Sequence, residues 1–305
     1  MKLLVIGSGI SGLFLAYYLL EGGHDVLVAD AARGSVRTSA YNAGILSPRS
    51  LFTEIFGRSE VVGVSAAERR RNPRWFRLAR GQSRERHEEA TDPLSARSLE
   101  LYEKFLAREK ARVDLTREVL ELHSNLSGDR HAGGSGTRFL GPRELSEVGY
   151  KGFEGGWLER EISLHSGKLL DYLRSRTSDM GARAVIGDVR LKSAGSRISR
   201  ALVDSKEVVA DAYVVAGGSW SREICRPLHY DPMVIPARGL VLFYRTDGKR
   251  VIDHPAVYAD KGVTVGQHGE DTLRITSFFE LVGFNPRFSQ SRTDWLFEKI
   301  GRAHV

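Results

Sequence analysis

The 305-residue sequence predicts an α/β protein: a doubly wound parallel sheet, with a second α+β domain built on a mainly antiparallel sheet. Three observations carry that prediction. An apolar run at Leu3–Ile6 passes through "GSGISG" into a helical pattern and then a second apolar run ending in Asp30. A similar strand-and-glycine stretch, "ADAYVVAGGSWS", ends its strand at Ala216-Gly217-Gly218. From Met233 onward alternating runs dominate: "MVIPARGLVLFY", "GVTVGQ" and "LRITSFFELVGF".

Leu3 to Ile6 is short and wholly apolar, as expected for a strand covered on both faces. From Ile10 to Leu20 the apolar residues recur at helical spacing, and Gly22-Gly23 ends the pattern. "DVLVAD" (25–30) follows as a second buried strand. Strand, helix and strand make a right-handed βαβ crossover, the opening unit of a Rossmann-like domain. Gly7 permits the tight turn, Gly9 lets backbone approach a pyrophosphate, and Gly12 lets the helix pack on the sheet. The helix N-terminus supplies N–H groups and a positive dipole end. Asp30 stands where an acid takes the ribose hydroxyls of an adenine dinucleotide, which argues against a 2′-phosphate and so against NADP.

"RTSAYNAGILSPR" (37–49) is read as an extended loop beneath a bound cofactor. Thr38 and Ser39 offer hydroxyls, and Ala43 and Gly44 allow main chain to lie against a flat ring. An NAD dehydrogenase would start a helix soon after the acid, so this loop favours a flavin. The longest helical pattern runs from Leu94 to Leu122 behind the cap-like "TDP", and "SGDRHAGGSG" (127–136) is a flexible turn. A helix near 167–180 and a strand near 183–192 follow, then a strand, a turn and a buried strand reaching Ala216. The alternating runs after Met233 read as half-buried antiparallel strands flooring a substrate pocket.

Hydrophobic content of 41% and charged content of 27% suit a soluble globular chain, and no stretch reaches the roughly twenty apolar residues of a membrane span. The N-terminal apolar run belongs to the βαβ unit and is no signal peptide. A single cysteine, Cys225, excludes an internal disulfide and suits a reducing cytosol. Nine histidines lack ligand spacing, so no metal site is expected. The net charge of +7 is mostly arginine, densest in "ERRRNPRWFRLARGQSRERHEEA" (68–90). That stretch is read as a solvated surface or, with Trp75 and Phe76, as a contact for anionic lipid headgroups. No nucleic-acid motif accompanies it, so no nucleic-acid partner is expected.

Taken in order, these pieces resemble the FAD-dependent D-amino-acid oxidase superfamily, and within it the D-amino-acid dehydrogenases. "VIGSGISG" with Asp30 is similar to its dinucleotide fingerprint, "TSAYNAGILSP" to its flavin-side loop, and "ADAYVVAGGSWS" to its second glycine turn. "IPARGL" and "LRITSFFELVGFNPRF" resemble its entry into the sheet domain and a late strand. Residues 50–160 match poorly. The resemblance implies an FAD-binding domain from 1–49 and 161–232, a substrate domain from 50–160 and 233–299, and a non-native tail at 300–305. It extends the cofactor set to Ser8, Ile10, Ser11, Ile45, Leu46, Val189, Ala216, Gly217 and Trp220. The chain stops before the family's closing glycine-rich segment, so it is expected to be truncated at the C-terminus and to retain FAD weakly.

The implied activity is oxidative deamination of a D-amino acid to a 2-oxo acid and ammonia, with hydride passing to flavin N5. A guanidinium suits the substrate carboxylate. Arg238 and Tyr258, at the starts of presumed floor strands, are candidates for the pocket, and Arg238 is equally readable as one more surface arginine. Glu280 is read as structural and His165 as a loop residue. A glycine, sarcosine or L-proline enzyme of the same fold, or a non-catalytic FAD-binding subunit, are the alternatives. A quinone or another electron acceptor is the expected partner. The expected location is the cytoplasm, with peripheral contact at the inner face of the membrane through 68–90.

Overall fold

The structure, a computed structural model, describes residues 1–31, 38–47, 62–81, 84–126, 137–195, 197–258, 260–285, 287 and 289–304. The chain forms two compact units, Met1–Tyr41 with Ser166–Pro236, and Asn42–His165 with Ala237–Val305. The sequence places those boundaries at 49/50, 160/161 and 232/233. The first crossover is β1 (Lys2–Ile6), α1 (Ile10–Glu21) and β2 (Asp25–Asp30), then a short helix α2 (Thr38–Tyr41). The chain enters the second unit with β3 (Ile45–Leu46), β4 (Val62–Val64), α3 (Ala66–Arg71), α4 (Pro73–Arg80) and α5 (Arg84–Glu109). β5 (Val119–His123), β6 (Arg138–Leu140), α6 (Pro142–Glu147), β7 (Gly155–Glu159) and β8 (Ile162–Ser163) complete that pass. Back in the first unit come α7 (Ser166–Asp179), β9 (Arg183–Ile186), β10 (Val189–Ala194), β11 (Arg197–Val203), β12 (Lys206–Val208), β13 (Ala212–Val215) and α8 (Ser221–Cys225). The last pass is β14 (Arg238–Arg245), β15 (Ala256–Tyr258), β16 (Val263–Gln267), β17 (Thr272–Leu281) and α9 (Gln290–His304).

In the first unit β13, β1, β2 and β9 form a parallel sheet in that order. Leu4, Val5, Val26 and Ala29 are fully buried in it, as strands covered on both faces require. The helix α1 packs on β1 so closely that a Cβ on Gly12 would lie 1.9 Å from the Gly7 carbonyl oxygen. A separate antiparallel sheet, β10-β11-β12, carries Leu191, Ala201 and Val203 into a core with Leu4 and Ile6. The single strand expected near 183–192 is thus two, in different sheets. The Gly187-Asp188 turn divides them, held by Gly187 N–H to Asp30 O (2.9 Å) and Asp188 N–H to Asp204 Oδ1 (2.7 Å).

The second unit is built on an eight-stranded sheet, β14-β17-β16-β15-β5-β7-β6, with β4 added beside β17. The alternating runs are its antiparallel strands β14, β16 and β17. The helical reading of Leu94–Leu122 needs correction. The helix α5 starts ten residues earlier, runs through Pro93 and ends at Glu109. Lys110 (φ 50°) and Asp114 (φ 48°) then turn the chain. Val119–His123 becomes a strand between β15 and β7 because its alternate residues Leu120 and Leu122 fill the sheet's core. The turn expected at 127–136 lies outside the described residues, as do Arg37, Pro48 and Arg49 of the glycine loop and Gln82 and Ser83 of the basic stretch. Residues 300–304 continue α9.

Candidate functional site

In the first unit the two glycine turns leave the sheet side by side, because β1 and β13 are adjacent and parallel. Open α/β sheets bind their ligands outside such carboxyl ends. Gly7 has φ +116°, and a Cβ there would sit 2.3 Å from the Ala216 carbonyl oxygen, so no other residue fits the turn. Gly9 is extended, and among the described residues a Cβ on it would meet Ser39 Oγ alone, at 3.1 Å. That is a cradle a side chain would fill. The Ile10 N–H donates to Ser39 Oγ at 3.1 Å, and Leu13 N–H closes the first helical bond to Gly9 O. The amides of Ser11 and Gly12 lie in the first turn of α1, where no intrahelical acceptor exists. Asp30, at the end of β2, accepts from the Ser8 N–H (2.6 Å) and the Ser8 hydroxyl (2.7 Å), both on Oδ2. Thr38 and Ser39 open α2, not an extended loop, and Ser166 Oγ donates to Ala40 O at 3.0 Å to seat that helix against α7.

This chemistry fits an adenine dinucleotide. Two amides and a helix dipole meet a diphosphate, and a carboxylate stands beside the turn. Gly217 precedes a 3₁₀ turn, Gly218–Trp220, in which Trp220 is half-buried. Val189 opens β10 and packs against the apolar core of Leu191, Ala201 and Val203.

In the second unit the rest of the glycine loop is a turn pinned from several sides. Gly44 has φ +74°, and its N–H donates to Asn42 Oδ1 (2.9 Å). Its carbonyl accepts from Leu164 N–H (2.9 Å), and the Ala43 carbonyl accepts from Arg274 Nη2 (2.7 Å). Ile45 and Leu46 pair with Ser163 and Ile162, and Ser47 Oγ donates to the buried Glu161 at 2.7 Å. Ile45, Leu46 and Ser47 also face a cleft of about 380 Å³, lined opposite by Leu94, Ser95 and Tyr102 of α5, with no charged side chain among the described residues of its lining.

Arg238 is engaged within the protein. It is bonded to Glu280 Oε2 through Nη2 (2.7 Å) and Nε (3.0 Å), and to the carbonyls of Asn285 and Arg287 through Nη1. Glu280 is shared with Arg292 at 3.3 Å. Tyr258 is fully buried, with its ring edge-on to Phe153 and Tyr150, and burial pushes its phenol pKa up. Its side chain belongs to the sheet's core. His165 lies edge-on to His268, with ring centroids 5.6 Å apart. Sequence reading missed Arg274 and His268; the one signal was an arginine within the apolar run "LRITSFF".

The basic stretch forms α3 and α4, where Arg69, Arg70, Arg71, Arg74, Arg77 and Arg80 are exposed. Trp75 and Phe76 are half-buried and edge-on at 5.0 Å, while Leu78 is 52% exposed. Among the described residues no helix is long and apolar enough to cross a membrane, and no histidine, cysteine or carboxylate cluster could hold a metal ion.

The chain matches the family of FAD dependent oxidoreductases (DAO) over residues 2–304. It is similar to the D-amino acid dehydrogenase of Vibrio cholerae serotype O1 (strain M66-2), 24% identical over 333 residues, covering 96% of this chain and 78% of that protein. Its backbone is similar to iminodiacetate oxidase from Chelativorans sp. BNC1, with a TM-score of 0.72 and 17% identity over 98% of this chain and 78% of that one. It is likewise similar to L-proline dehydrogenase from P. horikoshii, with a TM-score of 0.73 and 14% identity over 99% of this chain and 76% of that one. At these identities the structural likeness establishes the fold.

Proposed function

We propose, from the premise that this chain belongs to the FAD dependent oxidoreductase (DAO) family, that it oxidises an amino acid, foremost a D-amino acid, at its Cα–N bond. When bound, FAD supplies the hydride acceptor, and the chain's own part is to bind, orient and shield. The observation that carries the reading is the cradle around Gly9, with the Ser11 and Gly12 amides for the diphosphate and Asp30 for the ribose. In this reading the Ala43–Gly44 turn is the backbone against which the flavin ring lies. The substrate gives up its Cα–H as hydride and a proton from nitrogen, and the resulting imine is hydrolysed by water to a 2-oxo acid and ammonia.

The D-amino-acid assignment is supported by the Vibrio cholerae relative. A second reading, oxidation of glycine or a secondary amine such as sarcosine or L-proline, is favoured by the likeness to L-proline dehydrogenase and iminodiacetate oxidase. Electrons would leave to a quinone or another acceptor. The six exposed arginines of α3 and α4 suit peripheral contact with anionic headgroups, each cation near such a surface contributing about 1 kcal/mol. The test is to reconstitute the protein with FAD and add D-alanine, glycine, sarcosine or L-proline anaerobically, with product analysis. Bleaching by D-alanine with pyruvate formed supports the first reading. Bleaching only by glycine or the secondary amines supports the second. FAD binding without reduction by any of them leaves a non-catalytic subunit.

A further inference from the structure

Arg274 is the third residue of β17, between Phe243 of β14 and Gly266 of β16, and only 5% of it is exposed. Its Nη2 makes two bonds, to the Ala43 carbonyl (2.7 Å) and to Nε2 of His268 (3.0 Å). A guanidinium has no acceptor, so the His268 nitrogen must accept, and the ring must be neutral with its proton on Nδ1. Burial above all, then the Arg274 and His165 charges, hold the His268 pKa down at about 4, while the Asp114 backbone and carboxylate oppose them. The acceptor is therefore available throughout the neutral range. Burial lowers the Arg274 pKa to about 10, which still leaves the guanidinium charged at pH 7.

The turn is shaped around this side chain. A Cβ on Gly44 would lie 2.7 Å from Arg274 Nη2 and 2.1 Å from Leu164 O. Glycine at this position thus serves two ends: it tolerates φ +74°, and it lets a guanidinium reach the peptide from β17. A charge-assisted bond to a carbonyl is shorter and stronger than a neutral one. It fixes the Ala43–Gly44 peptide plane before any ligand arrives, which removes an ordering cost on binding.

We propose that Arg274 and His268 are positioning residues that set the Ala43–Gly44 peptide for the flavin, an inference that rests on the reading of that turn as flavin-facing. Arg274 grips the Ala43 carbonyl, and His268 holds Arg274 in the orientation that does so. Neither needs to touch the substrate.

The test uses His268→Gln, His268→Leu and Arg274→Lys in the whole chain, titrated with FAD. Glutamine offers a carbonyl where Nε2 stood, and His268→Gln should keep the wild-type flavin spectrum, FAD Kd and midpoint potential. His268→Leu and Arg274→Lys should shift the visible flavin spectrum. They should also change the ratio of affinities for oxidised and reduced flavin about tenfold, equivalent to about 30 mV for a two-electron couple. If His268→Leu and Arg274→Lys fold by circular dichroism, lose thermal stability alone and keep all three flavin properties, the pair is merely structural and the inference is overturned. A wild-type protein that takes up no FAD overturns the functional reading itself, an outcome distinct from the last.

Discussion

Replacing Asp30 by alanine separates two jobs that one carboxylate performs. In the protein Asp30 Oδ2 accepts both the Ser8 amide at 2.6 Å and the Ser8 hydroxyl at 2.7 Å. Alanine leaves a half-buried amide without its acceptor at the β1–α1 turn, a loss of about 1–3 kcal/mol. In a unit of this size that lowers the melting temperature by about 4 °C for each kcal/mol. FAD affinity should fall by a further 1–3 kcal/mol or so, because ribose hydroxyls lose a charged partner, which raises Kd about 5- to 150-fold. Asp30→Asn supplies the control: it retains an oxygen for Ser8 but no charge, so it should recover most of the apo-protein stability and only part of the affinity. The visible spectrum of any bound flavin should be unchanged, since Asp30 serves the adenosine end. Flavin-fluorescence titration and apo-protein thermal melts read the two effects separately. An alanine variant with wild-type FAD Kd would remove Asp30 from the cofactor site.

Gly9→Val should abolish FAD binding while the apo protein still folds, since among the described residues its Cβ meets Ser39 Oγ alone; Gly12→Ala, whose Cβ lands 1.9 Å from Gly7 O, should lower apo stability as well. Melts of both apo proteins beside FAD titrations distinguish the cases. Tyr258→Phe should leave substrate KM unchanged, and Tyr258→Ala should cost about 3–5 kcal/mol of stability because the ring lies in the sheet's core. Arg238→Met should destabilise by roughly 1–3 kcal/mol, since Glu280 keeps Arg292, with little change in KM. A large KM increase from either would return that residue to the pocket. The His268 pKa is about 4 folded against an ordinary 6.5, so the unfolded chain binds the extra proton between those values. Stability should therefore fall as pH drops through that window, and His268→Gln should flatten the slope in pH-dependent melts.

The β1–α1–β2 crossover is legible because its signals are local. An apolar strand, three glycines, a helical period and a terminal acid fall within thirty residues, and the Gly7 and Gly12 clashes show why no other residue type serves there. The second glycine turn and the strands after Met233 are legible for the same reason. Val119–His123 was not, because its partner Ala256–Tyr258 lies more than a hundred residues away and nothing local distinguishes "VLELH" from a helix end. Arg238 does open β14, whereas Tyr258 ends β15 instead of starting a strand, and a place at a strand end does not say which face a side chain takes. Tyr258 faces the core, and Arg238 meets Glu280 from the neighbouring strand. Arg274 reaches a carbonyl 231 positions away, a contact that only the folded sheet creates.

The central claim is tested most directly by the absorption spectrum of the protein reconstituted with excess FAD, recorded before and after anaerobic addition of D-alanine. The account predicts that, under excess FAD, a protein-bound flavin band forms and bleaches on addition, with pyruvate and ammonia formed in equal amounts. A protein that binds FMN or NAD in place of FAD, or holds no flavin at all, would contradict it.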